Sequence, residues 1–215
     1  MGPDFVCRME EVLDVYEQPY NANPPVVCLD ESPRQLIGER RESFTDEYGV
    51  EHVDYEYTRE GTVDLYMVVE PLAGRREVLV KDQHTRLDGA EVVAYVIEEM
   101  YPAAQKITLI QDNLSAHKTS AFYERFEPER ARALVKKLDG VFTPKHGSWL
   151  NIAEIELSVL TRHGLKPRVA SKEELERQAM AWYKTRNGKM SQVNWQFTTP
   201  NARIKLKHLY PSIKP

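Results

Sequence analysis

Two short apolar runs constrain the fold of this chain more than anything else in it. Val26-Val27-Cys28-Leu29 is followed at once by Asp30, and Ile107-Thr108-Leu109-Ile110 is followed, after Gln111, by Asp112. Short apolar, β-branched runs bounded by turn signals read as buried strands. Two further strand-like segments, Val63 to Val69 and Glu77 to Val80, lie between them, joined by the turn residues Pro71-Leu72-Ala73-Gly74. Residues 88–101 place Val92, Val93, Val96, Ile97 and Met100 at helical spacing, ended by Pro102.

Downstream, the pattern predicts a helix over roughly 119–138, a short strand at Val141-Phe142 and a loop over Thr143 to Ser148. A helix from about Asn151 to Leu165 follows. Ser171-x-x-Glu174 is a capping box that opens another helix, to about Thr185. Three strands followed by alternating helices and strands predict an α/β sandwich: a mixed β-sheet flanked by helices, in an order that resembles the ribonuclease-H-like fold. Residues 5–18 read as a short helix, and Tyr20 to Pro25 as its break. The polar stretch 32–61, with Pro33, Gly38, Gly49 and Gly61, reads as a long surface excursion. The domain boundaries read from this are a helix and connector over 1–25, a catalytic-type domain over 26–190 and a basic C-terminal tail over 191–215.

Composition excludes several classes. With 41% hydrophobic and 29% charged residues the chain has a globular balance. Its longest apolar runs fall far short of the roughly 20 residues of a membrane span. Asp4, Glu10, Glu11, Asp14 and Glu17 in the first 17 residues are incompatible with a signal peptide. Cys7 and Cys28 form no framework, which points to a reducing, cytoplasmic setting. The six histidines show no zinc spacing, and no glycine-rich phosphate loop is present, so no nucleotide cofactor is expected. The charge is unevenly distributed. Residues 1–160 hold 17 Lys and Arg against 30 Asp and Glu, while residues 161–215 hold 12 against 3. A basic segment of this kind suits a polyanion; it also suits packing against the acidic body.

An aspartate just past each buried-type strand places two carboxylates at strand ends, where open α/β sheets present their ligands. Oxygen donors favour Mg²⁺ or Mn²⁺ over zinc. The same residues could instead organise turns or cap helices. For a third acid the helix after Asn151 offers Glu154 and Glu156, which project about 160° apart. Glu154 fits the third residue of a capping box on Asn151, whereas Glu156 shares an arc with Ile152, Val159 and Leu160. Helical arithmetic alone leaves both open. His117, five residues after Asp112, could bind substrate or move a proton.

These segments recur in order: Val26 to Glu31; Gly61 to Tyr66 with Val69 to Gly74; Gln111-Asp112-Asn113-Leu114-Ser115-Ala116-His117; and Thr143-Pro144-Lys145-His146-Gly147-Ser148-Trp149-Leu150-Asn151-Ile152-Ala153-Glu154. Together with Trp195 to Thr199 and Ala202 to Lys207, they resemble the catalytic domain of bacterial insertion-sequence DDE transposases related to the mariner group. The resemblance runs from about residue 5 to the end. It implies that Asp30, Asp112 and Glu154 hold two Mg²⁺ (or Mn²⁺) ions, and it resolves the choice of glutamate by analogy. It also implies DNA partners, namely transposon ends and target, with a homo-oligomer assembling on DNA.

Lys145, His146, Lys166, Arg168, Arg203, Lys205 and Lys207 are the expected DNA contacts, with Asn113, His117, Asn151 and Trp149 as accessory residues. Trp149 is expected either in the core or stacked on a flipped base. Family members usually carry a helix-turn-helix region ahead of this domain, and here Met1-Gly2-Pro3 leads directly into the first helix. Two rival expectations follow: a non-enzymatic remnant that binds DNA or dimerises, and a host structure-specific nuclease of the same fold.

Overall fold

The computed structural model describes residues 2–41, 44–52, 55–112 and 119–211. Helix α1 (Pro3–Tyr16) opens on a proline, which suits a first helical position, and buries Phe5, Met9, Val12, Leu13 and Tyr16 along one stripe. Strand β1 (Val26–Glu39) pairs antiparallel with β4 (Tyr57–Glu70), and β4 pairs antiparallel with β5 (Arg75–Lys81). The polar stretch expected to be a surface excursion is therefore largely strand. β1 and β4 run on together as a two-stranded ribbon, with the short pair β2 (Phe44–Thr45) and β3 (Glu51–His52) between them. Its composition hid this because the outer ribbon packs on little core: residues 57–62 are exposed, so apolar alternation has nothing to encode.

Helix α2 (Arg86–Tyr95) starts at a Thr85–Asp88 capping box and continues as a π turn to Met100. Strand β6 (Ile107–Gln111) then pairs parallel with β1 on one side and with β7 (Leu138–Phe142) on the other, completing the order β5-β4-β1-β6-β7. The single helix expected before β7 is two, α3 (Ser120–Arg125) and α4 (Pro128–Lys137). Pro128 explains the break, since it removes a donor and drives Glu127 to an extended ψ of 147°. Helices α5 (Ile152–His163), α6 (Lys172–Gly188) and α7 (Thr199–Lys205) follow, with Asn151, Ser171 and Thr198 as N-caps. The mixed five-stranded sheet flanked by helices expected from the sequence is thus present.

Because successive residues of a strand point to opposite faces, the central strands feed two cores. Cys28, Met67, Val69, Ile110 and Val141 pack against α1, α5, α6 and α7. Val27, Leu29, Tyr66, Val68 and Leu109 pack against α2, α3 and α4. Burial on both faces is why Val26 to Leu29 and Ile107 to Ile110 read as continuous apolar runs. The C-terminal residues close over α1. Thr199 donates from its hydroxyl to Asp14 and from its backbone N–H to Glu17, and Arg203 forms a two-point pair with Glu10. Among the described residues no helix is long and apolar enough to cross a membrane.

A buried ion network ties the sheet edge to α5 and α6. The Arg76 Nε lies 3.0 Å from Glu156 Oε2, and Arg186 Nη2 donates to Glu156 Oε1 at 3.0 Å. Arg76 also donates to the carbonyls of Gly74 and Ser191, while the Asn187 side chain caps its backbone N–H and C=O as a neighbouring strand would. Glu156 is therefore a core residue whose charge is matched from two elements. Removing it strands the Arg76 guanidinium, which is buried. Glu156→Ala is expected to lower stability by about 3–5 kcal/mol in urea unfolding. A loss below about 1 kcal/mol would show that the network does not hold the three elements together.

Candidate active site

The register of β1 against β6 aligns Cys28 with Ile110. Continued by two residues, it sets Asp30 beside Asp112, one strand spacing or about 5 Å across the sheet. Cys28 and Ile110 both face the α1/α5 core, so the residues two further on share that face. Asp30 and Asp112 are both half-buried.

Helix α5 brings the third acid. Its N-cap, Asn151, is buried and makes two bonds: its Oδ1 accepts from the Ala153 N–H at 3.1 Å, and its Nδ2 donates to the Leu29 carbonyl at 2.9 Å. The second bond pins the start of α5 to β1, one residue before Asp30. The Tyr16 hydroxyl supports the same turn by donating to the Leu150 carbonyl at 2.8 Å. Held this way, α5 turns Glu156 into the core and Glu154 toward Asp30. Asp30 and Glu154 line an open cleft together with Glu31, Ser32, Ser148 and residues further along α5. The expected capping-box bond from Glu154 back to Asn151 is not made. Glu154 Oε2 is buried without a hydrogen-bond partner among the described residues.

The electrostatics are those of a carboxylate cluster. Burial pushes the Asp30 carboxyl up to about 7, the charges of Glu31, Asp112 and Glu154 add to the rise, and a backbone bond at Glu31 opposes it. His84 lies 3.4 Å from Glu31 and 3.2 Å from the buried Asp64. Among the described residues no three His, Cys, Asp or Glu side chains are gathered closely enough to enclose an ion. An all-oxygen donor set with an orphaned buried oxygen fits a hard divalent cation.

The remaining predicted residues fall into groups. Lys145 and His146 stand exposed at the corner of a β-turn closed by the Gly147 N–H on the Pro144 carbonyl at 2.8 Å. His146 takes a left-handed φ of 66°, and a Cβ at Gly147 would meet Pro144 Cγ at 2.5 Å, so only glycine fits there. Lys166 and Arg168 lie in the segment after α5, which Arg34 ties to β1 through the Lys166 and Pro167 carbonyls. Lys205 lies 5.7 Å from the Phe197 ring centre, and Lys207 is exposed. Arg203 is engaged by Glu10. Trp149 is not a core residue. It is 41% exposed, stacked on Trp195 at 6.5 Å and edge-on to Phe197 at 6.1 Å. Asn113 and His117 lie outside the described residues. Glu31, Asp64, His84 and Arg162 were not singled out in the sequence. For Arg162 a signal existed, because it falls eight residues after Glu154 on the same helical stripe.

A family model described as DDE superfamily endonuclease matches residues 25–176. The chain belongs to that family. Its structure is similar to the Mos1 transposase paired-end complex with left transposon end, at 12% identity and a TM-score of 0.55 over 88% of this chain and 59% of that one. It is similar also to the Mos1 mariner paired-end complex with Mn, at 13%, 0.56, 88% and 58%. The same holds for the mariner Mos1 paired-end complex with Mg, at 14%, 0.51, 86% and 56%. The fold is accordingly the ribonuclease-H-like arrangement expected above. The chain spans less than two thirds of the length of each of these proteins. No curated protein sequence matches it significantly.

Because the Asp30 carboxyl is raised from an ordinary value near 3.8 to about 7, the folded state holds its proton more tightly than the unfolded chain does. Its favourable contribution is complete below the unfolded value and is lost as pH rises through about 7. In EDTA, Asp30→Asn is therefore expected to be more stable than wild type at pH 8, by about 2 kcal/mol after discounting for partial solvent contact. The two should be alike near pH 4. Equal stability of the two proteins at both pH values in thermal denaturation would refute the clustered-charge description.

Proposed function

We propose that this chain is the catalytic domain of a DDE transposase that cuts DNA at transposon ends and joins it to target. What carries this reading is the β1/β6 register, which continued sets Asp112 beside Asp30, together with the cleft that Asp30 and Glu154 both line. The family match and the likeness to the Mos1 complexes support it. In this reading the three carboxylates hold two Mg²⁺ or Mn²⁺ ions, in keeping with the Mn and Mg of the similar Mos1 complexes. When bound, such ions supply Lewis-acid stabilisation of charge on the attacking and leaving oxygens of a phosphodiester.

The chain's own side chains do the positioning. Asn151 holds Glu154 on the Asp30 side of α5, and the β1/β6 register holds Asp112 beside Asp30. In the cleavage step water attacks the phosphodiester and a 3′-oxygen leaves; in the joining step the freed DNA 3′-hydroxyl attacks a target phosphodiester and the target's 3′-oxygen leaves. Lys145 and His146, displayed on their turn beside α5, contact backbone phosphates, and Lys166, Arg168, Lys205 and Lys207 extend that contact. The exposed ring of Trp149 offers a stacking surface to an unpaired base. Several copies act together on DNA, in keeping with the paired-end complexes named among the similar structures.

The test is Mn²⁺ calorimetry on this chain beside Asp30→Ala, Asp112→Ala and Glu154→Ala, with nicking of supercoiled plasmid measured in parallel. Wild type is expected to bind the metal and nick only in its presence, and each substitution to cut nicking about 100-fold or more. Nicking that survives in EDTA, or that survives the loss of Asp112, would remove the assignment. DNA binding with no cleavage under any divalent metal would favour a non-enzymatic remnant.

A further inference from the structure

The cleft that holds Asp30 and Glu154 does not end at the carboxylates. Along α5 it is lined at Glu154, Leu157, Ser158, Thr161 and Arg162, the i, i+3, i+4, i+7, i+8 spacing of one continuous helical stripe. The core stripe of the same helix, with Ile152, Ala153, Glu156 and Leu160, lies on the adjoining side. Ser32 on β1 and Ser148 ahead of α5 line the cleft as well. One end of this channel is thus carboxylate, its middle carries hydroxyl groups, and its far end carries a guanidinium.

Arg162 differs from most arginines of the basic C-terminal segment. Of the five between 161 and 215, three are matched to carboxylates: Arg177 to Glu174, Arg186 to Glu156 and Arg203 to Glu10. Arg168 stands over the Tyr57 ring at 6.0 Å, outside this cleft. Arg162 is exposed, has no carboxylate partner among the described residues, and is steered by its Nη2 bond to Ser158 Oγ at 2.5 Å. A cation kept unpaired beside an acidic cluster, and oriented by a hydroxyl from the wall of the same cleft, is arranged to receive an anion from outside.

We propose that this channel is a track for one DNA strand, in which Arg162 binds a backbone phosphate flanking the one that is cut. The inference rests on the reading of the chain as a DNA-cleaving domain and adds a substrate-positioning residue to it. Eight residues of helix advance about 12 Å. At about 3.4 Å of duplex rise per nucleotide, that places the Arg162 phosphate roughly three nucleotides from the scissile one. Ser158 and Thr161 offer hydroxyl donors to the phosphates between. The arrangement also answers an electrostatic problem: the carboxylates repel a phosphodiester, and a fixed cation farther along the same groove attracts the strand that must lie across them.

The test is fluorescence anisotropy of a labelled blunt DNA duplex in EDTA over a NaCl series, so that the readout is independent of metal and of turnover. Wild type is compared with Arg162→Ala, Arg162→Lys and Arg177→Ala, the last removing an arginine already matched to a carboxylate. Arg162→Ala is expected to weaken binding about three- to tenfold and to reduce the salt slope by about one. Arg162→Lys should restore the slope, and Arg177→Ala should leave both unchanged. In Mg²⁺-dependent nicking, Arg162→Ala should raise KM by a similar factor and leave kcat within about twofold. An unaltered affinity and salt slope in Arg162→Ala, or an equal loss in Arg177→Ala, would overturn the proposal. If wild type cuts no DNA yet Arg162→Ala weakens binding as stated, the nuclease reading fails and the strand contact stands. If wild type binds no DNA at all, both are wrong.

Discussion

The side chain of Asn151 makes two hydrogen bonds on which the geometry of the site depends. One caps α5 and the other reaches the carbonyl of Leu29, the residue before Asp30. A cap alone would start the helix without specifying where it points; the bond to β1 fixes both the position and the rotation of its first turn. Because the amide is buried, leaving either partner unmatched costs on the order of 1–3 kcal/mol, which is enough to hold one arrangement over its neighbours. Tyr16 reinforces the same corner from α1, so three separate elements agree on where α5 begins.

Two glutamates two residues apart then acquire opposite roles. Glu156 is ion-paired with Arg76 and Arg186 and belongs to the scaffold, while Glu154 opens on the cleft beside Asp30, whose carboxyl is raised in part by its charge. The first environment brings opposite charge to a carboxylate and the second brings like charge. Functional sites commonly carry unfavourable electrostatics of the second kind, offset by the packing around them. Here two apolar cores, one on each face of the sheet, and the buried Arg76–Glu156–Arg186 network supply the rigidity.

The charge asymmetry of the sequence divides in the same way. Part of the basic C-terminal segment neutralises the acidic N-terminal helix, through Arg203 and the Tyr210 hydroxyl on Glu10. Another part has no carboxylate partner among the described residues and lines the cleft, in Arg162. Packing on the body, one of the two uses anticipated for a basic segment, is present in Arg203, while receiving a polyanion is the role proposed for Arg162.

Much of the architecture was legible in the chain because it is encoded locally. The strands preceding Asp30 and Asp112 announced themselves as doubly buried runs, and Ser171 and Asn151 were readable as caps because a cap is written within four residues. The outer ribbon of β1 and β4 was not legible, since strands that meet little core leave no apolar alternation, and the break at Pro128 is masked by apolar spacing that continues through it. For the site, the sequence by itself determined which acids stand at strand ends and that Glu154 and Glu156 point apart. Helical arithmetic yields only relative angles, so it could not say which glutamate faces Asp30. The tertiary structure decided that through a bond from Asn151 to a strand 122 residues away and through arginines on β5 and α6. It likewise decided which arginines are already matched, because each cross-chain partner is chosen by packing between segments that no local pattern connects.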